Sequence, residues 1–505
     1  MEDAPDKGRW IADAVAGASV AFIAIPQGLA YAEIAGMPAY TGLYAAAVPA
    51  VLAGFTSDSR YLQTGPVALT SLLTFGALAP LGATAKSAEY AALAALLALL
   101  VGVIRILLGL MKMGGIADLM SRPVILGFTS AAAILISGSQ ADKAFGVEGA
   151  PDGLLEKLFF VLAHPAEWNL AAIGLSVATA ALIVGGKRIH SAFPGVVLVV
   201  IVGVIIGRTD LYPAPLVGAV PSGLPEVSFD FFWSAIPSLL VPAIVIAVVG
   251  FSEATAVART FAIQDRERWS ANKELISQGV ANMASAVSGG FPVGGSFSRS
   301  SLNRLAGART RWAGFFTGIT ILAFLPFASV VSSLPTAVLG AVVIVAVFKL
   351  IQVGKLLRLF EIAKLQGVIG VATFVATIAL APRVDLAVLI AILVAIGVHL
   401  YREISRVNVE AEIEGDKLVI YPAGVLFFAS ANRFHDTILT RVADHPGITT
   451  VIFDLSKLGR IDYSGMLTLQ EIAESMEVAG LVIEVRGVGS HSQKTFHRIG
   501  GIGAG

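Results

Sequence analysis

Several residue types and patterns are scarce or missing in this chain, and each absence excludes some classes of site or partner. Cysteine is absent from the 505 residues, which excludes disulfides and cysteine-ligated metal sites. Charged residues make up 14% of the chain, whereas soluble globular proteins carry roughly 25%. The formal net charge is zero, and this balance argues against a nucleic-acid partner.

Motifs for catalysis and for cofactor binding are also missing. The seven histidines show no spacing typical of metal ligands. The chain has no Gly-x-x-x-x-Gly-Lys-Ser/Thr sequence, which a phosphate-binding loop requires, and no nucleophile–base pattern. We therefore predict that the protein is not an enzyme and has no catalytic residues, no metal and no cofactor.

Long apolar runs dominate what is present. The chain is 56% hydrophobic, and its runs approach the ~20 residues that a helix needs to cross a bilayer. Breaks at glycine, proline and charge clusters predict fourteen transmembrane segments, near residues 10–32, 39–55, 64–79, 88–110, 118–138, 168–185, 193–207, 235–262, 273–289, 295–308, 312–328, 335–350, 364–381 and 384–401. The protein is therefore expected to be an integral membrane protein.

The lysines and arginines predict its orientation. If the N-terminus is inside, nineteen basic residues fall in the connections on that side, against five on the other (Lys86, Lys143, Lys157, Arg208 and Arg383). Cytoplasmic loops carry the excess of basic residues. Both termini are therefore expected in the cytoplasm, with an even number of crossings.

A weak internal repeat divides the apolar region. AAVPAVLAGF (46–55) resembles NMASAVSGGF (282–291), and TGPVALTSLL (64–73) resembles GGSFSRSSLN (294–303). Both pairs are offset by roughly 230 residues, which predicts two repeats of seven segments. An odd number of segments inverts one repeat relative to the other, as in transporters whose binding sites form where broken helices meet.

The stretch FPVGGSFSRSSLN (291–303) places an arginine between long hydrophobic segments. Its glycines and proline break the helix, and the residues from Ser296 onward can restart it. A helix that starts inside the membrane points unpaired N–H groups and its positive end inward. Its counterpart starts at Thr64–Gly65–Pro66, with Pro66 expected in the first helical turn.

Two facing helix starts would form an anion site from backbone groups. The hydroxyls of Ser296 and Ser298 and the forked guanidinium of Arg299 add donors. In the alternative interpretation, Arg299 pairs with Glu253 and only joins two helices. Charge inside a membrane usually serves function, so we favour contact with an anion.

Other polar residues near this site are candidates for substrate or ion binding. Gln27 and Tyr31 are spaced four apart on one face of the first segment, next to Pro26 and Gly28. Glu33 and Glu253 are acidic candidates that could bind a proton or a sodium ion; alternatively they only pack helices. Arg105 and Arg259 are expected to snorkel or to be paired near the membrane edge.

The composition changes after Arg406. KLVIYPAGVLFFAS, TTVIFDLS and LVIEVRGVG are typical of strands, and the stretches between them have helical apolar spacing. This alternation over about 100 residues predicts a small cytoplasmic α/β domain.

These stretches together resemble the SulP family of anion transporters, the sulfate-permease group that includes prestin and pendrin. The resemblance is carried by IPQGLAYAEIAGMPAYTGLYAAAVP, TSDSRYLQTGPVALTSLL, VGFSEATAVARTFA and VGGSFSRSSLNRLAG, in that order. IDYSG (461–465) resembles the conserved turn of a STAS domain.

The resemblance implies a domain organisation, a state of assembly and a mechanism. An all-α membrane domain (1–406) would hold fourteen segments as a 7+7 inverted repeat. Its core (10–110 and 235–328) would move like an elevator past its gate (118–207 and 335–401), in a homodimer. A cytoplasmic STAS domain (407–505) would follow. As a bacterial-type member, the protein would reside in the bacterial cytoplasmic (inner) membrane.

The resemblance also assigns roles to individual residues. It implies anion contacts from the first helix and from the third and tenth helix starts, at Gln27, Tyr31, Pro66, Val67, Ala68, Ser296, Phe297, Ser298 and Arg299. It associates Glu253 with proton or cation coupling. Ser464 matches a serine that is phosphorylated in STAS regulators, but Tyr463 replaces the small residue common before it, which favours a purely structural turn.

The leading functional hypothesis is secondary active transport of an inorganic oxyanion or small carboxylate, as symport with protons. Sodium coupling, anion exchange and an anion channel on the same fold are alternatives. A hypothesis of another class is a membrane sensor with the STAS domain as its signalling output.

Overall fold

The computed structural model describes residues 7–151, 153–189, 193–209, 212–405, 408–427 and 430–488. The chain forms two compact units, Met1–Ile392 and Leu393–Gly505. The boundary predicted at residues 406–407 lies outside the described residues.

Helices α1–α17 make up the membrane region, and two short strands lie among them. The first nine are α1 (Lys7–Ile34), α2 (Thr41–Thr56), α3 (Ala68–Leu78), α4 (Ala88–Leu110), α5 (Arg122–Ser139), α6 (Ala141–Phe145), α7 (Leu154–Ala163), α8 (Leu170–Ile189) and α9 (Gly195–Gly207). The others are α10 (Ile236–Asp265), α11 (Ala271–Val287), α12 (Phe297–Leu305), α13 (Trp312–Phe324), α14 (Thr336–Phe348), α15 (Val353–Ile362), α16 (Lys364–Ala379) and α17 (Val384–Ser405). The strands are β1 (Thr64–Gly65) and β2 (Gly294–Gly295).

Each of the fourteen predicted segments overlaps one of these helices, and several helices extend a few residues beyond the predicted ends. The additional helices α6, α7 and α15 interrupt their apolar positions with charged residues, so the search for apolar runs missed them. Among the described residues, eight helices are long and apolar enough to cross a membrane. The number of crossings stays a prediction.

Two short helices start where the two strands meet. Strand β1 pairs antiparallel with β2, with Thr64 opposite Gly295 and Gly65 opposite Gly294. Helix α3 has 11 residues and α12 has 9, so each is at most about 17 Å long and falls short of a ~30 Å hydrocarbon core. Glycine and proline break the helices as predicted, and the breaks lie side by side.

A contact between two glycines fixes α1 against α2. A Cβ added to Gly42 would lie 1.9 Å from the carbonyl oxygen of Gly28, and one added to Gly28 would lie 2.7 Å from that of Gly42. Only residues without a side chain allow the two backbones to approach this closely. The contact sets the position of the α1 segment that carries Gln27 and Tyr31.

The second unit contains the predicted α/β fold. Its elements after α17 are β3 (Asn408–Glu414), β4 (Lys417–Leu426), α18 (Ala431–Ala443), β5 (Thr450–Asp454), β6 (Leu458–Ile461), α19 (Tyr463–Val478) and β7 (Val482–Arg486). The sheet has the order β3-β4-β5-β7, and β6 also pairs with β4. Strand β3 is antiparallel to β4, and the other pairs are parallel.

The IDYSG turn joins β6 to α19 and has a clear structural role. The Asp462 side chain caps α19 by accepting a hydrogen bond from the Gly465 backbone N–H at 2.8 Å. A Cβ on Gly465 would lie 2.6 Å from the Leu426 carbonyl oxygen, so a side chain there would collide with β4. Ser464 is partly exposed in the first turn of α19, and its phosphorylation stays a prediction.

Candidate functional site

The starts of α3 and α12 meet at the strand pair in the core of the membrane region. Helix α3 begins after Val67, whose side chain makes no capping hydrogen bond. Helix α12 begins after Ser296, whose hydroxyl accepts a weak hydrogen bond from the Arg299 N–H at 3.4 Å. Unpaired N–H groups of both helices therefore converge. Pro66 lies one residue before the cap, so its predicted place in the first helical turn is wrong.

Arg299 links the two helix starts. Its side chain is 2% exposed, and Nη2 donates to the Pro66 carbonyl oxygen at 2.9 Å. The guanidinium also packs against Gly65, where an added Cβ would lie 3.2 Å from Nη2. The other terminal nitrogen, Nη1, is buried without a hydrogen-bond partner. A buried charged donor without a partner is costly, so this atom is available to a ligand.

Glu253, on α10, lies within electrostatic range of Arg299. The alternative interpretation predicts an ion pair between them, but no such pair occurs among the described residues, and Glu253 Oε2 is buried without a hydrogen-bond partner. The two opposite charges therefore share one region without satisfying each other. Each of them therefore keeps a buried polar atom without a hydrogen-bond partner.

Gln27 and Tyr31 lie on the same face of α1. Helix α1 packs against both α3 and α12. Each is 6% exposed, and Tyr31 is within electrostatic range of both Arg299 and Glu253. Gln27 Oε1 has no hydrogen-bond partner. Tyr31 therefore lies near both charged residues, and its contact with an anion stays a prediction.

The remaining predicted contacts differ in their exposure. Val67, Ala68 and Ser296 are buried, as is Pro66. Ser298 is exposed, and Phe297 is 57% exposed. The Ser298 hydroxyl lies 3.4 Å from that of Ser296. At the start of α12, the exposed Ser298 is therefore next to the buried Arg299 and within reach of the buried Ser296 hydroxyl.

Glu33 is positioned differently from Glu253. Its carboxylate Oε2 lies 2.6 Å from Lys143 Nζ, with the glutamate side chain 7% exposed and the lysine side chain 16% exposed. Lys143 also donates to Gln140 Oε1 at 3.1 Å. This ion pair joins α1 to α6, which belong to the predicted core and gate respectively. Sequence reasoning identified Glu33 but missed its partner.

Arg105 corrects a further prediction. We expected it near the membrane edge, but its side chain is 0% exposed. It donates to three backbone carbonyl oxygens, of Ile246 at 3.2 Å, Ala247 at 3.2 Å and Val293 at 3.0 Å. It therefore fastens α10 to the segment that leads into β2 and α12. Backbone acceptors leave no trace in the sequence, so no pattern could identify them.

Residues 11–373 match the sulfate permease family. The chain belongs to this family. Residues 408–501 match the STAS domain, which confirms the predicted α/β tail. The chain belongs to a permease family and its relatives are named as transporters, which confirms the prediction that it is not an enzyme.

Named relatives occur in bacteria and animals. A probable sulfate transporter of Mycobacterium tuberculosis is 32% identical over 344 residues, which cover 66% of this chain and 60% of the relative. The sodium-independent sulfate anion transporter of Bos taurus is 28% identical over 515 residues, covering 94% of this chain and 83% of the relative.

Solved structures share the fold. The murine Solute Carrier 26 family member A9 anion transporter, in the inward-facing state, has a TM-score of 0.89 at 21% identity, covering 99% of this chain and 89% of that one. The transmembrane domain of the cyanobacterial bicarbonate transporter BicA has a TM-score of 0.66 at 23% identity, covering 78% of this chain and 99% of that one. The predicted fold class, a largely helical membrane domain followed by a small α/β STAS domain, is confirmed; the fourteen segments and the inverted repeat stay predictions.

Proposed function

We propose that this sulfate permease family member is a secondary active transporter that moves an inorganic oxyanion or small carboxylate across the bacterial cytoplasmic membrane. The observation that carries the proposal is Arg299, buried between two paired helix starts with one terminal nitrogen unpartnered. Relatives named for sulfate transport support the choice of anion class.

Electrostatics favour an anion at this position. Each helix start contributes up to roughly half a positive charge, and the guanidinium adds a full one. An anion that leaves water exchanges its hydration for these donors, which are already oriented. Binding therefore involves Arg299 with the helix-start residues Pro66–Ala68 and Ser296–Ser298, and Gln27 and Tyr31 on α1 line the site.

Transport follows an elevator-like movement of the core past the gate in a homodimer with both termini cytoplasmic. The hydrogen bonds of β1 with β2, of Arg299 with Pro66 and of Arg105 with three carbonyls tie the parts of the core together. A core bound in this way can move as one body and carry the anion with it.

Radiolabelled sulfate uptake into proteoliposomes tests the proposal. A pH gradient, acidic outside, is expected to drive accumulation, whereas a sodium gradient at constant pH is not. Accumulation by sodium alone would favour the sodium symport alternative, and currents far above carrier turnover would favour a channel. Absence of flux for sulfate, bicarbonate, nitrate, chloride and dicarboxylates would favour the sensor.

Glu253→Gln is expected to abolish the dependence of uptake on the pH gradient. The amide cannot take up the proton that the unpartnered carboxylate can. One pH unit is worth about 1.4 kcal/mol per proton. With the membrane potential held at zero, wild-type protein that carries one proton per anion can therefore accumulate radiolabelled sulfate up to about tenfold, and the variant should only equilibrate it. Glu89→Gln, at an exposed carboxylate, is the control and should accumulate normally. Retained accumulation in Glu253→Gln would contradict proton binding at this residue.

The ion pair of Glu33 with Lys143 is expected to stabilise the packing of α1 against α6. In a double-mutant cycle of Glu33→Gln and Lys143→Gln, the coupling free energy of unfolding should be about 2 kcal/mol, because a largely buried charge without its partner is costly. The double variant should also be more stable than the Lys143→Gln variant. Additive effects in the cycle would show that the pair contributes no coupling.

A further inference from the structure

A second basic site lies outside the candidate anion site. A cleft of about 540 Å³ is lined by Arg9, Ser57, Asp58, Arg60, Tyr61, Glu267, Ala308, Arg309, Thr310 and Arg311. We call it the arginine cleft. None of these residues belongs to the predicted substrate site. The cleft lies at the start of α1 and at loops that the positive-inside rule assigns to the cytoplasm.

The charges of the arginine cleft are unbalanced. Four arginines face two carboxylates, so the lining carries a formal charge of +2. Glu267 forms an ion pair with Arg60. Asp58 accepts from the Ser270 backbone N–H at 2.7 Å and lies 3.4 Å from Lys273 Nζ. Both carboxylates thus already have partners.

Two arginines of the cleft lack an acidic partner. Among the described residues, neither Arg309 nor Arg311 forms an ion pair, and Arg311 Nη1 donates to the Ser57 carbonyl oxygen at 3.1 Å. Both residues are exposed. Their forked donor groups are therefore available to a ligand with several oxygen acceptors.

Buried carboxylates hold both walls of the cleft. Asp13, 2% exposed, accepts from the backbone N–H of Arg309 at 2.7 Å and of Thr310 at 3.0 Å. Glu274, 0% exposed, accepts from the Ser57 hydroxyl at 3.2 Å and from the Ser59 N–H at 3.0 Å. A solvated basic surface needs no such support. The walls are preorganised, which lowers the entropic cost of binding.

We propose that the arginine cleft binds an anionic phosphate group. Guanidinium groups match phosphate oxygens with paired, charge-assisted hydrogen bonds, and Arg309 and Arg311 are the exposed arginines of the cleft whose guanidinium groups form no ion pair among the described residues. The group comes from an anionic lipid headgroup or from a soluble phosphate. Its binding joins the start of α1 to the loops before β1 and after α12, and so stabilises the core at one end.

Thermal unfolding of the full-length protein distinguishes the two sources. In one arm, the protein is placed in nanodiscs of phosphatidylcholine with or without phosphatidylglycerol. In the other, inorganic phosphate or pyrophosphate is titrated into phosphatidylcholine nanodiscs at constant ionic strength. A rise in unfolding temperature in either arm supports the proposal and identifies the source.

Variants test whether the cleft is responsible. The double variant Arg309→Gln/Arg311→Gln should lower the apparent affinity for the probe that raises the unfolding temperature by at least about tenfold, because charge-assisted hydrogen bonds are removed. Arg188→Gln/Arg358→Gln, which removes two exposed arginines elsewhere, should leave it within about twofold, as expected of screened surface charges. If the double cleft variant does not fold, Arg309→Gln alone replaces it. No probe effect, or equal loss in cleft and control variants, would overturn the proposal.

Discussion

Arg299→Ala is expected to lower anion uptake by about a hundredfold, which corresponds to about 2.7 kcal/mol of lost binding. The guanidinium is 2% exposed and holds Pro66 through Nη2. Its other terminal nitrogen is unpartnered and is the proposed donor to the anion. The loss of a hydrogen bond to a charged group costs about 1.5–3 kcal/mol of binding free energy. Initial rates of radiolabelled sulfate uptake into proteoliposomes measure the effect.

Two further variants separate charge from geometry. Arg259→Ala removes an arginine that forms an ion pair with Asp118, and the side chains of both residues are exposed. Uptake by this variant should therefore stay within about twofold of wild type. Arg299→Lys keeps the charge but not the planar forked donor group. Its uptake should therefore lie between that of Arg299→Ala and that of Arg259→Ala. Unfolding temperature without anion shows whether the protein is intact. An Arg299→Ala variant that is folded and transports normally would contradict the proposed site.

Gly42→Ala is expected to destabilise the protein by roughly 3 kcal/mol, at the upper end of overpacking effects. The added Cβ would lie 1.9 Å from the Gly28 carbonyl oxygen and 2.3 Å from its carbon. Backbone atoms cannot rotate away as a side chain can, so α1 must move away from α2. Because Gln27 is adjacent to Gly28, uptake should fall as well. Thermal or denaturant unfolding of the purified protein measures the loss.

Gly174→Ala is the matched control for this substitution. Gly174 lies within α8, and a Cβ there would meet no atom within 4 Å. Alanine is favoured over glycine in a helix by up to about 1 kcal/mol, so this variant should be as stable as wild type or slightly more stable. Equal stability of the Gly42→Ala and Gly174→Ala variants would show that α1 and α2 tolerate a wider separation.

The breaks in the two short helices could be predicted because local chemistry determines them. Glycine and proline weaken a helix and cluster at residues 289–295, whereas the single prolines Pro26, Pro49 and Pro242 lie inside helices. A serine before the restart at Phe297 is a normal cap. An arginine in such a stretch is conspicuous because membrane burial of charge is costly. The candidate site could therefore be located from the sequence, and the pairing of β1 with β2 supplied its geometry.

The supports of the site could not be predicted, because their partners are distant or belong to the backbone. Arg105 binds carbonyls of α10 and of the loop before β2, and carbonyls are present in every residue. Lys143 follows Glu33 by 110 positions, and many charged residues lie at comparable separations. Glu274 holds a loop through backbone N–H groups. Such contacts emerge only when the fold brings distant segments together.

The pairing of Thr64 with Gly295 has a consequence for biosynthesis. One strand of the pair is translated long before the other. At about 5–20 residues per second, the intervening stretch of roughly 230 residues takes tens of seconds to synthesise. Throughout that interval the backbone groups of Thr64 and Gly65 lack the partners that they have in the folded protein. The pair can therefore form only after residues 294–295 have left the ribosome.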